Sequence, residues 1–427
     1  MHKYTEAAVP KISFQQVSLS RKFYINLHAH KHIKEEGVMK KQAFLILFSA
    51  FIWSGWAQIK TGNQPVFTIV KENPITSIKN QNRSGTCWSY ASLAFFESEI
   101  LRKSGKTYDL SEMFVANKDY MDCAENYVRL HSYSRFSQGG STFDALEVIQ
   151  RHGICPESVM PASASGALVG DSLANFNEFF SILEPFMEAV AKNKAKGKST
   201  QWRQAFQSTV DAYLGKCPKT FTYEGVSYTP QSFARSLGLD WSEYTSITSY
   251  THHPFYTWFN IEAPYKWRYA LSYNVPMNEM MEIIDHAVMS GYTVAWGGDV
   301  SEDGFTRTGL ALSIDDGKMQ DLEGSDAARW LKLSKAEKTS VLKLLGVNAP
   351  EVKATQERRQ ERFDNWGQTY DHVMLIFGIA KDQTGREYYM VKNSWGRTGD
   401  YDGIWYMSKD YIADNTTYIF LNKKALK

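Results

Sequence analysis

Along this chain the apolar positions change period several times, and each change marks an element. From Cys87 to Lys103, Trp88, Leu93, Phe95, Ile100 and Leu101 recur at helical spacing until Ser104-Gly105 stops the run. A helix that begins on a cysteine is therefore expected. Ahead of it, Pro65 to Lys79 reads as extended segments broken by Asn73-Pro74, leading into a polar loop over 80–86. Leu110-Ser111-Glu112 starts a further helix, and the Gly-rich break Gln138-Gly139-Gly140-Ser141 precedes another that ends near His152-Gly153. Residues 276–290 form an amphipathic helix leading to a buried strand over Tyr292–Trp296, and 325–365 is helical and highly charged. From His372 onward the period is that of strands.

The last of these patterns can be taken further. His372 to Ile379 is apolar and strand-like, Lys381-Asp382-Gln383-Thr384-Gly385-Arg386 is turn chemistry, and Glu387 to Asn393 is strand-like again. Residues that face each other across a hairpin have numbers with a constant sum. A turn centred near Asp382-Gln383 sets that sum at about 765, the sum of 372 and 393. His372 and Asn393 are therefore expected as cross-strand neighbours at the open end of the hairpin, to within a residue or two.

Composition narrows the classes. The chain has 427 residues, 43% apolar and 22% charged, as ordinary globular proteins do. A formal net charge of +2 gives no pull toward nucleic acid or membrane surfaces. The four cysteines, Cys87, Cys123, Cys155 and Cys217, are too few for a disulfide scaffold, and a Cys123–Cys155 bridge is left open. Met39-Lys40-Lys41, the apolar run Ala43–Trp53 and the small residues around Gly55-Trp56-Ala57 make the three-part pattern of a secretory signal peptide. Residues 1–57 are read as a leader, with Met39 as the true start; a buried N-terminal helix is the alternative. His28, His30 and His32 fall in that leader and are set aside. Residues 165–250, richer in Ala, Ser, Glu and Lys, read as a mainly helical insertion. Its run Lys192, Lys194, Lys196 and Lys198 is a solvated helix end or loop, with anion binding as the other reading.

The chemistry centres on Cys87. A buried cysteine is by default a small hydrophobe. Here Gln81 lies six residues upstream, and Asp371-His372 and Asn393-Ser394-Trp395-Gly396 follow far downstream. Cysteine, histidine and asparagine supply a nucleophile, a base and an orienting amide. A helix N-terminus and an adjacent imidazolium both lower a thiol pKa, so a Cys87 thiolate paired with protonated His372 is the expected resting state. Gln81 and the Cys87 N–H are the expected oxyanion donors, with Trp395 covering the His–Asn contact. Asp371 reads as a loop residue rather than a catalytic acid. His131, His152, His252-His253 and His286 lack partners at metal-ligand spacing and read as structural, and no cofactor motif is present.

In Gln81–Trp88, Asp371-His372 and Asn393–Gly396 the chain resembles the papain-like cysteine peptidases. The 285 residues from Cys87 to His372 and the form Ser-Gly-Thr-Cys-Trp point to the bleomycin hydrolase/aminopeptidase C branch. The resemblance, over residues 65–423, implies an α+β, two-lobed papain-like fold with a helical lobe, a β-barrel-like lobe and a large helical insertion. The parts would be 58–164 with the nucleophile helix, 165–250 as the insertion, and 251–427 carrying His372 and Asn393. It also implies a homo-oligomer, in this family a homohexameric ring, and a substrate backbone held at Gly139-Gly140. Peptides are the implied substrates; no cofactor, no nucleic acid and, in the mature form, no membrane is expected. Two features depart from the family. The leader implies export to the periplasm or beyond, where family members are cytoplasmic. The C-terminal arm that enforces aminopeptidase action is shortened, which leaves Lys427 a doubtful gate and endopeptidase action as an alternative. A noncatalytic oligomeric binding protein is the reading from another class.

Overall fold

The computed structural model describes residues 63–162, 173–193, 197–314 and 333–426. The leader with its three histidines, Lys194, Lys196 and the carboxylate of Lys427 lie outside the described residues. No described helix is long and apolar enough to cross a membrane.

The helix that opens on the cysteine runs from Cys87 to Ser104, and every residue from Cys87 to Ile100 is buried. A helix covered on all sides belongs to the core rather than to a surface. It ends where Gly105 enters the left-handed region (φ 70°) and returns its N–H to Leu101 O at 2.9 Å. The next helices, Glu112–Arg129 and Thr142–His152, start as their sequences direct. Ser111 Oγ accepts from Phe114 N, and Ser141 and Asp144 form a reciprocal capping box. The amphipathic helix expected over 276–290 spans Met277–Met289, and the charged segment provides Lys335–Leu345 and Gln356–Asp364.

The strands in chain order are β1 (Thr68–Glu72), β2 (Phe221–Tyr223), β3 (Val226–Tyr228), β4 (Tyr244–Thr248), β5 (Trp258–Asn260) and β6 (Leu271–Asn274), followed by β7 (Val294–Gly298), β8 (Leu310–Ala311), β9 (His372–Lys381), β10 (Glu387–Lys392), β11 (Ile404–Ser408) and β12 (Thr416–Asn422). The main sheet runs β5-β6-β4-β12-β7-β9-β10-β11-β8, with β1 added to the far half of β9. Both faces of its centre are covered. Val373 and Leu375 of β9 and Phe420 of β12 pack on the side of the Cys87 helix. Met374, Ile376, Ile419 and Leu421 pack on the opposite side with Met280, Ile284 and Trp405. That parity is why β9 reads as an unbroken apolar run.

Residues 165–250 hold the helices Asn177–Lys192, Gln201–Leu214 and Pro230–Ser236. They also hold two elements that helical periodicity does not show. One is the β2–β3 hairpin, turned at Glu224-Gly225 with φ of 48° and 78°. The other is β4, which pairs with β12 inside the main sheet. Phe179, Leu183, Phe206 and Val210 share one apolar core with Tyr120 and Phe95. The first two of these helices pack on Glu112–Arg129, where Tyr120 meets Phe179 and Phe180, rather than on the nucleophile helix itself. From His372 onward the expected strands are interrupted by a short helix, Lys409–Asn415, capped by Ser408 Oγ on Tyr411 N.

A buried cation ties the nucleophile loop to two helices. Lys79 Nζ lies 2.6 Å from Glu112, 3.3 Å from Glu97 and 2.5 Å from Asp109. Burial opposes the charge on Lys79, but Glu112, Glu97 and Asp109 outweigh it and hold its pKa well above the ordinary value. Removing the ammonium leaves two buried carboxyls without a counter-ion. Lys79→Met is expected to cost about 3–5 kcal/mol in urea unfolding, whereas Lys353→Met, at an exposed pair, should change it by less than about 1 kcal/mol.

Candidate active site

Two segments far apart in sequence are stitched together at the end of the Cys87 helix. Gln81 N donates to Ser394 O at 2.8 Å, Gly396 N donates to Lys79 O at 2.9 Å, and Ser394 Oγ donates to Gln81 Oε1 at 2.7 Å. The hairpin then supplies the base. Lys392 of β10 pairs with Leu375 of β9, a register sum of 767 rather than 765. Lys381 pairs with Glu387, so the turn is centred on Thr384 rather than Asp382-Gln383, and a bulge between Met390 and Val391 takes back one residue of that shift. His372 and Asn393 are therefore offset along the strands, yet their side chains meet, with Nε2 2.8 Å from Oδ1. The same oxygen accepts the Ser394 N–H at 2.7 Å. That second donor fixes which end of the amide is the oxygen, so His372 must donate through Nε2–H, and Nδ1 carries the lone pair. Trp395 lies against the imidazole, ring centroids 4.9 Å apart with the planes tilted by 39°.

Cys87 stands at the first turn of its helix, 8% exposed, where unpaired backbone N–H groups point outward. Burial pushes its thiol up to about 12, while the N–H groups of Val373, Trp88 and Cys87 itself pull the other way and Asp371 adds to the rise. Burial also pushes His372 down to about 4 against the Asn393 hydrogen bond. The thiolate–imidazolium resting pair expected from the sequence is thus opposed by desolvation of both partners. An isolated charge on either group is unfavourable here.

Gln81 is buried with Nε2 donating one hydrogen to Ser84 O at 2.6 Å. Its second amide hydrogen is the one available to an oxyanion, beside the N–H of Cys87. Gly139 and Gly140 form the wall next to this loop. Gln138 Oε1 accepts from Gly85 N at 2.7 Å and Gln138 O accepts from Trp88 Nε1 at 2.9 Å. A Cβ on Gly140 would stand 2.8 Å from the Trp88 ring, so glycine is required there for close approach. Trp395 sits on the opposite, His372 side rather than on this wall. Asp371 is exposed at the rim, accepting from Val300 N at 2.9 Å.

Some residues were not singled out by sequence. Ser394, inside the quoted motif, orients both Gln81 and Asn393. Tyr370 donates to Gly140 O at 2.6 Å, a contact that depends on tertiary placement and leaves no sequence signal. His252 and His253, read as lacking partners, converge on Glu262, each Nε2 3.0 Å from a carboxylate oxygen. Gln360, whose Oε1 is held by Thr251 N, donates Nε2–H to His252 Nδ1, which puts the proton of His252 on Nε2 facing Glu262. Hydrogen bonding accounts for that cluster. Cys123 and Cys155, left open as a bridge, are both free thiols.

A papain family cysteine protease model matches residues 66–233, which contain Gln81, Cys87 and Gly139-Gly140. A Peptidase C1-like family model matches 341–427, which contain His372 and Asn393. Aminopeptidase G of Lactobacillus delbrueckii subsp. lactis is 23% identical over 83% of each chain. Aminopeptidase C of Listeria monocytogenes is 24% identical over 86% of this chain and 84% of its own length. The crystal structure of pepw from Lactobacillus rhamnosis HN001 superposes with a TM-score of 0.63 at 18% identity, covering 84% of this chain and 83% of that one, and shares its fold.

The pH dependence follows from the His372 shift. Nδ1 can accept the thiol proton only while the ring is neutral, so alkylation of Cys87 by iodoacetamide should persist well below the ordinary imidazole value and fall as pH drops through about 4. In His372→Ala, with no base, alkylation near neutral pH should drop by about 10²-fold or more and recover only at alkaline pH. A wild-type acid limb at about 6.5 would contradict the assignment of burial as the dominant effect.

Proposed function

The chain belongs to the papain-like cysteine peptidases, and from that premise we propose that it is a cysteine aminopeptidase acting on peptides through a thioester. The observation that carries the reading is the Asn393 oxygen with two donors, which leaves His372 Nδ1 as the base near a thiol at a helix start. Cys87 Sγ passes its proton to Nδ1 and attacks the scissile carbonyl carbon. The oxyanion is met by the Cys87 N–H and the second Gln81 amide hydrogen. His372 returns the proton to the departing amine, leaving a thioester on Cys87. Water, deprotonated by the same nitrogen, attacks the thioester; the acid leaves and the thiol is restored.

Restriction to free N-termini does not come from residues 422–426. Asn422 Nδ2 donates to Glu99 Oε2 at 2.7 Å, and Lys423 Nζ donates to Ser242 O. Glu99 is twelve residues, about 18 Å, along the helix from Cys87. The reading includes a homo-oligomer, as the resemblance implies, and export of the chain, supported by the basic, apolar and small-residue pattern of 39–57.

Aminoacyl coumarylamides with free amines should be hydrolysed, their N-acetylated counterparts at least about a hundredfold less efficiently, and Cys87→Ala should lose about 10³-fold or more. Equal turnover of blocked and free substrates would sink the aminopeptidase assignment; full activity in Cys87→Ala would sink the mechanism. For export, N-terminal sequencing of the mature protein from the producing cell should begin at Gln58.

A further inference from the structure

Residues 422–426 lie toward the far end of the nucleophile helix, whereas the walls of the groove stand beside Cys87. The leaving amine takes its proton from His372, so the leaving side of the groove is the His372–Trp395 side. The acyl side is the other wall, Gln138–Gly140. That wall is covered. A Cβ on Gly139 would stand 2.5 Å from Cδ1 of Tyr265, so the phenol ring lies directly on the glycine. Gly140 O, which a bound peptide N–H would seek, already accepts the Tyr370 hydroxyl at 2.6 Å. Tyr265 and Tyr370 meet edge to face at 6.0 Å, and the Tyr370 hydroxyl reaches Tyr418 Oη at 3.3 Å.

The cover is anchored. Tyr265 projects from a short segment pinned on one flank by buried Ile261 and on the other by buried Lys266 and Trp267. Arg268 bonds Asp119 at 2.7 Å and Asp122 at 3.0 Å, and pairs at 3.1 Å with Asp144, the cap of the helix that follows Gly140. The segment carrying Tyr265 is thus bolted to the wall it covers.

We propose that Tyr265, laid on Gly139 and backed by Tyr370, closes the acyl side of the groove one residue from Cys87. The site then admits a single residue before the scissile bond, and the enzyme is an aminopeptidase by occlusion. The inference rests on the aminopeptidase reading and deepens it.

The test compares kcat/KM for aminoacyl coumarylamides and for N-acetyl-dipeptidyl coumarylamides with the same residue at the scissile bond. In the wild type the blocked-to-free ratio should lie below about 0.01, and in Tyr265→Ala it should rise at least about tenfold. A Tyr265→Ala enzyme that hydrolyses the free substrates and keeps the wild-type ratio within about twofold overturns the proposal. Because that variant can fail to fold, a second measurement uses the wild type alone. An aminoacyl aldehyde should inhibit it at least about a hundredfold more tightly than an N-acetyl-dipeptidyl aldehyde, and equal inhibition also overturns the proposal. The two failures are distinct. A wild type that prefers blocked substrates loses the aminopeptidase reading itself; one that prefers free substrates whether or not Tyr265 is present loses only the occlusion.

Discussion

Three hydrogen bonds between residues 79–81 and 394–396 set the geometry on which the site depends. One of these segments leads into the buried helix that starts at Cys87; the other leaves the strand that ends beside Asn393. The nucleophile and its base arrive from different layers of an α+β fold, and their relative position is only as good as this join. Lys79, the first residue of the join, also carries the ammonium that holds Glu97 and Glu112 together, so the same few residues fix the loop to the helices below it. Ser394 then uses the join for chemistry, orienting Gln81 through its hydroxyl and Asn393 through its N–H.

Much of this was legible in the sequence because it was local. The helix Cys87–Ser104 begins and ends where its cysteine loop and Ser104-Gly105 place it, and the helix before His152 starts after the Gly-rich break as expected. The hairpin of β9 and β10 was readable from its turn. Its register was readable only to two residues, because the closing pair Lys381–Glu387 centres the turn on Thr384, further along than its Asp382-Gln383 chemistry suggests, and the bulge between Met390 and Val391 then shifts the pairing by one. Side-chain reach absorbed the error, which is why His372 and Asn393 still meet. By contrast β4, Tyr-Thr-Ser-Ile-Thr, is buried throughout but polar in composition. Its hydroxyls are satisfied by other strands, Thr248 on Thr417 O and Ser246 on Ser272, and periodicity cannot see such partners. The convergence of His252 and His253 on Glu262, and of Tyr265 on Gly139, is likewise tertiary.

The protonation states were the least legible part. Helix N–H groups and a neighbouring imidazole argue for a charged pair when each is considered as a local effect. Burial of both groups acts in the opposite direction and is the larger influence on each. The outcome depends on how closely the layers pack over Cys87, which no single motif encodes. Asn393 matters here as a geometric device more than as a charge. By accepting from Ser394 and His372 together, it leaves the imidazole one nitrogen with which to take a proton.

Holding Cys87 as a thiol has a further consequence for an enzyme whose nucleophile must survive between substrates. Peroxide and disulfides react with the thiolate, and the sulfenic, sulfinic and sulfonic acids form in turn from it. A cysteine that is only 8% exposed as a residue, and whose thiol burial holds in the protonated form, offers oxidants little to attack until a substrate carbonyl is in place. The desolvation that makes the resting nucleophile sluggish is also what gives it chemical durability.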